Sequence, residues 1–260
     1  MPSCAPTNAS TMVICAVLAL EQIGFGSART ILVGIAFDPR QPQGPGNPAV
    51  VNLPFGATFG SDPSCTIDQD PSKTLNGGQP FAECAIVLTA ETTVGGTNDA
   101  IPVMFGVSFD PRSGFTKGGQ AATSTQPFTG NPSCTTPRDN ATAGGTGTSV
   151  ICAIGTGFGN GFGTGTFNTL VAYAFNPVDR TDAPIEQSLG SAPSGVWTGV
   201  GCASQNNLSA HNRVVCAATT TTNAVFGVDF DPRTATRLSA AVSLAPRMAR
   251  PFARVQAASP

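Results

Sequence analysis

Short apolar runs alternate with clusters of glycine, proline, asparagine and threonine along the whole chain. From Thr30 to Asp38 the pattern has a period of two: Ile31, Val33, Ile35 and Phe37 fall on one side, and Leu32, Gly34, Ala36 and Asp38 on the other. The stretch Ala224 to Asp231 repeats it, with Ala224, Phe226, Val228 and Phe230 against Val225, Gly227, Asp229 and Asp231. One side is bulky and the other mostly small, which suits a strand whose sheet is covered on both faces and approached closely on one. Thr11 to Leu18 reads as a strand joined to Thr30–Asp38 past Gly24 and Gly26. Only Ala235 to Ala245 hints at a helical period, and Pro246 would end it. The expectation is therefore all-β.

The strands belong to an internal repeat. Four units open near residues 2, 63, 132 and 200, with Pro2-Ser3-Cys4, Pro63-Ser64-Cys65, Pro132-Ser133-Cys134 and Val200-Gly201-Cys202. Each continues to a second cysteine (Cys15, Cys84, Cys152 and Cys216). Each then reaches Phe37-Asp38-Pro39-Arg40, Phe109-Asp110-Pro111-Arg112, Phe175-Asn176-Pro177 or Phe230-Asp231-Pro232-Arg233. A fixed order of signals every ~65 residues defines a repeat architecture. Small sheets of this kind stacked around an axis would form a single β-propeller domain over 1–260. Its C-terminal segment, 238–260, would supply a strand to the first blade and close the ring; the alternative is a piece of a longer array.

Eight cysteines fall two to a unit, with separations of 11, 19, 18 and 14 residues. Metal sites bring ligands within a few residues of each other, and no such pair occurs. Of the roughly 105 pairings that eight cysteines allow, the repeat favours Cys4–Cys15, Cys65–Cys84, Cys134–Cys152 and Cys202–Cys216. Disulfides point to an oxidising compartment, hence a secreted or cell-surface protein in mature form, since no signal peptide follows Met1. Eight buried thiols in a reducing compartment are the alternative. Sequons at Asn8, Asn140 and Asn207 lie between the paired cysteines and mark those loops as exposed.

Charge narrows the function. Only 11% of residues are charged, against about 25% in ordinary domains, and the net charge is −2. No basic patch would neutralise a phosphate backbone, so nucleic acid is not expected. No apolar run is long enough to span a membrane as a helix. The single histidine, His211, has no serine and acid nominated beside it, and no paired carboxylates stand out. Gly155 to Gly165 lacks the lysine and serine of a phosphate loop and reads as a hairpin loop. No cofactor or metal is expected, and no catalysis. The repeated Asp-Pro-Arg is first a turn signal, since aspartate suits the first turn position and proline ends a strand. Ligand binding by Asp38, Asp110 and Asp231 is the sharper alternative.

The stretch from Val214-Val215-Cys216-Ala217 through Thr222-Asn223-Ala224 to Phe230-Asp231 resembles the repeats of bacterial β-propeller lectins, including the seven-bladed fucose-binding group and tectonin-like proteins. Thr97-Asn98-Asp99-Ala100 echoes their turn, and Glu186-Gln187-Ser188-Leu189-Gly190 echoes their Leu-Gly-Gly segment. The resemblance implies lectin-like carbohydrate recognition at sites between blades, built on tryptophan or tyrosine faces. This chain has one tryptophan, Trp197, and one tyrosine, Tyr173. Trp197 is thus the single ligand-binding candidate, with ordinary packing as its alternative. The expected partner is a glycan or a surface protein, homo-oligomers included. The competing function is a structural or protein-interaction part of a surface assembly.

Overall fold

The computed structural model describes residues 1–7, 12–41, 46–53, 58–68, 79–94, 97–117, 119–124, 126–136, 150–157, 168–175, 185–192, 195–206, 212–222, 224–231, 236–237 and 242–244. They form four antiparallel sheets and, among the described residues, no helix. The first sheet is a meander of β1 (Ser3–Pro6), β2 (Val13–Gly24), β3 (Ser27–Phe37) and β4 (Ala49–Asn52). The second is centred on the long hairpin of β7 (Phe81–Val94) and β8 (Thr97–Asp110). Beside β7 lie β5 (Thr58–Phe59) and β6 (Ser64–Asp68); beside β8 lie β9 (Phe115–Lys117) and β10 (Ala121–Thr123). The third runs β11 (Phe128–Thr135), β12 (Val150–Thr156), β13 (Thr169–Phe175) and β14 (Ile185–Ser191). The fourth contains β15 (Trp197–Asn206), β16 (Asn212–Thr220) and β17 (Val225–Asp231), with β18 (Thr236–Arg237) and β19 (Val242–Leu244) both on β17.

Each sheet carries its own disulfide, in the four pairings the repeat predicts. The cysteines stand directly opposite one another on the first two strands of the unit, with Cα atoms 4.0 to 4.1 Å apart. So close an approach belongs to the non-hydrogen-bonded kind of antiparallel pair, in which the N–H points away from the partner strand. The first cysteine's N–H is therefore left for an acceptor outside its own sheet. The serine of the preceding unit supplies it: Cys65 N–H donates to Ser3 Oγ at 3.0 Å, Cys134 to Ser64 at 3.0 Å and Cys202 to Ser133 at 2.9 Å. The Pro-Ser-Cys motif thus joins each unit to the next and covers the edge of its first strand.

The core lies between sheets, in three layers. Ile14, Ala16, Leu32 and Ala36 of the first sheet meet Cys84, Ile86, Val107 and Phe109 of the second. Ala85, Val87 and Met104 of the second meet Val150, Cys152, Tyr173 and Phe175 of the third. Ile151, Ala153, Leu170 and Ala172 of the third meet Val214, Cys216, Phe226 and Phe230 of the fourth. The polarity is constant: the bulky face, with the disulfide, points back to the preceding sheet, and the small face points forward. Gly34 makes the approach possible, because a Cβ there would overlap the Phe109 ring. At Gly106 a Cβ would lie 3.0 Å from Cδ1 of Phe175.

Some expectations need correction. The described part of 238–260 is β19, which pairs with β17 of the fourth sheet and not with the first; the remainder of that segment lies outside the described residues. Among the described residues no core cluster joins the first and fourth sheets. The helix suggested for Ala235 to Ala245 is replaced by strand at 236–237 and 242–244. In the second unit Thr97–Ala100 is strand, because the β7–β8 ladder extends to Val94 opposite Thr97. In the first unit the strands also outrun the apolar pattern and reverse at Phe25-Gly26, where Gly26 has φ of 79°.

Candidate functional site

The Asp-Pro-Arg turns sit at the same end of neighbouring sheets, because they follow equivalent strands. In the first two, the aspartate closes its own turn. Arg40 N–H donates to Asp38 Oδ1 at 2.9 Å and Gln41 N–H to the Asp38 carbonyl at 3.0 Å. Arg112 N–H donates to Asp110 Oδ1 at 3.0 Å, and its guanidinium returns to the same carboxylate at 2.8 and 3.1 Å. The Ser113 hydroxyl adds 3.2 Å. The Asp110 carboxylate is thus buried and satisfied within its own turn. Both aspartates serve first as turn residues, as the dipeptide suggests. The side chain of Asp231 lies outside the described residues.

Between the first two of these turns lies a cleft of about 340 Å³. Met12, Ala36 and Pro111 give it apolar surface. Asp38, Gln41, Asn47 and Arg112 give it polar groups, and Phe37 completes the wall. It straddles two units, with Asp38 and Asn47 from the first and Arg112 from the second.

Trp197 is elsewhere. It is buried between the third and fourth sheets, edge-on to Phe226 with ring centroids 5.4 Å apart. Its indole N–H donates to the Asn168 carbonyl at 3.2 Å. Gly155 lies against it and leaves the space that its bulk fills. Tyr173 is buried between the second and third sheets, edge-on to Phe128. Burial, then the neighbouring Glu186 carboxylate, to which its hydroxyl is hydrogen-bonded, push its phenol far above the usual range. Both rings are packing elements in this arrangement, with their faces turned to other side chains. His211 and the three sequons lie outside the described residues.

One feature escaped the sequence reading. Glu83 is fully buried on the face of the second sheet that meets the third, in register with Thr66 and Ser108. Ile14, Ile151 and Val215 hold its position in the other units, so an acid one residue before the second cysteine was the available signal. Among the described residues no group of three metal-ligating side chains gathers, and no helix is long and apolar enough to cross a membrane.

No protein-family model matches this chain. No curated protein matches it either.

Proposed function

We propose that the chain is an exported, non-catalytic binding module of propeller-like construction, which recognises carbohydrate in the cleft between its first two units. The construction is supported by four disulfide-clipped meanders packed face to face and linked rung by rung through their first strands. Export is supported by the four disulfides, which persist in oxidising compartments. The observation that carries the ligand reading is the cleft itself. It lies between neighbouring blades, where sites of the resembled lectins lie. It combines an apolar wall with the amides of Gln41 and Asn47 and the charges of Asp38 and Arg112. That mixture suits a sugar, whose ring has an apolar side and whose hydroxyls need donors and acceptors.

A panel of monosaccharides, fucose included, tests this by thermal shift. A sugar at a hundredfold excess over its Kd stabilises by about 2.7 kcal/mol, roughly 5–11 °C at the 2–4 °C per kcal/mol of a domain of this size. The double variant Asn47→Ala, Gln41→Ala should lose the shift while melting like the wild type without sugar. Sugar-independent melting across the panel and a blank glycan array would remove the reading. A second reading, a protein-interaction component of a surface assembly, is favoured by one observation: the outer face of the first sheet is apolar and partly exposed, with Val17 and Val50 accessible by 39% and 46% while Cys15 and Ile31 are buried.

A further inference from the structure

That outer face is the first sheet's bulky side. Val13, Cys15 and Val17 of β2, Ile31, Val33, Ile35 and Phe37 of β3, and Val50 of β4 share it, because Ile14, Ala16, Leu32, Ala36 and Val51 point to the second sheet. In the second, third and fourth units the equivalent face is covered by the small face of the preceding sheet. At the other end of the stack the fourth sheet presents a small face outward, with Val215, Ala217, Thr219, Val225 and Gly227. Val215 is 41% exposed.

The two ends carry matching halves of one joint. In the internal joints, the phenylalanine that ends the third strand of one unit packs on the residue three places before its counterpart in the preceding unit. Phe109 packs on Gly34 and Phe175 on Gly106. Phe230 shares a core cluster with Ala172, which holds that position in the third unit. The same alignment puts Phe37, half-buried and also at the wall of the cleft, on the outward face of the first sheet, and Gly227, half-buried, on the outward face of the fourth. Gly227 is a socket of the kind that Gly34 and Gly106 form, and Phe37 is a knob of the kind that Phe109 and Phe175 form.

We propose that a second copy of this chain seats its fourth sheet on the first sheet, head to tail, with Phe37 of one copy packed on Gly227 of the next. Three joints within the chain already show that such faces fit. The fourth sheet also brings an Arg213–Asp229 ion pair to this face, with Nε to Oδ1 at 3.1 Å. The pair neutralises itself, so it enters the joint without an unpaired charge. One rung is missing: Gly201 stands where Ser3, Ser64 and Ser133 stand, so the tail offers no hydroxyl to the N–H of Cys4. The intermolecular joint is accordingly weaker than the internal ones and reversible with concentration. Because the contact is heterologous, it adds copies in a line instead of stopping at a pair.

Sedimentation velocity over a concentration series tests this. The wild type should rise in weight-average mass past twice that of one chain. Val33→Asp, which charges the head, and Gly227→Ile, which fills the tail, should each sediment as monomers. A mixture of the two should form a one-to-one dimer and stop there, because only one intact head meets one intact tail. That dimer also requires both variants to be folded. A wild type that stays monomeric throughout overturns the proposal. So does oxidation of a Phe37→Cys, Gly227→Cys variant to a crosslink within a single chain, which would mean that the molecule closes on itself. Mass is read without sugar, so the outcome is independent of the carbohydrate reading.

Discussion

Replacing Gly34 by alanine adds one methyl group at the joint between the first and second sheets. The new Cβ would overlap Cε2 of Phe109 and lie 2.8 and 2.9 Å from Cδ2 and Cζ. Ordinary carbon contacts fall near 3.5–4.0 Å, so the ring must move by about an ångström or more. Phe109 has no free space to move into, being fully buried among Ile14, Ala36, Cys84 and Val107. Alanine is otherwise easier than glycine on an extended backbone, which works slightly in the variant's favour. Overpacking of this kind costs about 1–3 kcal/mol, and we expect Gly34→Ala to fall in that range by denaturant unfolding. Gly24→Ala is the internal control, since a Cβ there meets nothing within 4 Å. The clash belongs to the pair, so Phe109→Leu, costly alone, should be less costly in the Gly34→Ala background; coupled neighbours of this kind deviate from additivity by about 0.5–3 kcal/mol. If Gly34→Ala is as stable as Gly24→Ala, or if the double variant is strictly additive, the knob-on-glycine account of the joints is wrong.

Three further outcomes follow from the same geometry. Ser133→Ala leaves the Cys202 N–H without its acceptor and should cost about 1–3 kcal/mol, the cost of an unsatisfied donor, whereas Ser133→Thr, which keeps a hydroxyl, should recover part of it; both are read by thermal melting. Replacing Cys65 and Cys84 together by alanine opens a loop of 19 residues and should cost about 3 kcal/mol, with peptide mapping of the variant showing the other three bridges intact. Tyr173 ionises far less readily folded than unfolded, because burial and Glu186 oppose its phenolate. Its contribution is therefore fully present below about pH 10, where the unfolded phenol titrates, and is lost as pH rises beyond that; Tyr173→Phe should flatten the alkaline limb of a stability-against-pH curve, and an unchanged limb would contradict the burial argument.

The sheets, the disulfides and the two-sided strands were legible because repetition and a period of two are local signals, carried by residues such as Ile31 to Phe37 and by cysteines at fixed places. The extent of the hairpins was less so. Leu20 and Ile23 continue a strand into solvent, and Phe25 turns it back there, where alternation no longer reports burial. The cleft could not be read at all, since Met12, Asn47 and Arg112 are far apart in the chain and meet only through sheet stacking. Trp197 illustrates the same limit from the other side. A lone tryptophan reads equally as a ligand platform or as packing, and only the position of Gly155 on the facing sheet and of Phe226 in its own sheet assigns it to the core.

The constancy of face polarity explains why a chain with so few charges needs its serines. Each joint is made by apolar side chains, which are tolerant of sliding because dispersion and burial have little directionality. A sheet shifted by two residues would still present a bulky face to a small one. The hydroxyl of Ser3, Ser64 or Ser133 accepts from one N–H only, that of the next unit's first cysteine, and the disulfide fixes where that N–H lies. Further rungs sharpen the register at the later joints: Thr136 to Thr66 at 2.9 Å, and Ser204 N–H to Thr135 at 3.0 Å. Burial holds the sheets together while these directional bonds set their alignment. On this account a serine-to-alanine change should be felt in the uniqueness of the joint as well as in its strength. Hydrogen exchange should then show loss of protection on both sheets flanking the altered rung, with the other sheets unaffected. Protection lost evenly through the molecule would mean that alignment is set elsewhere.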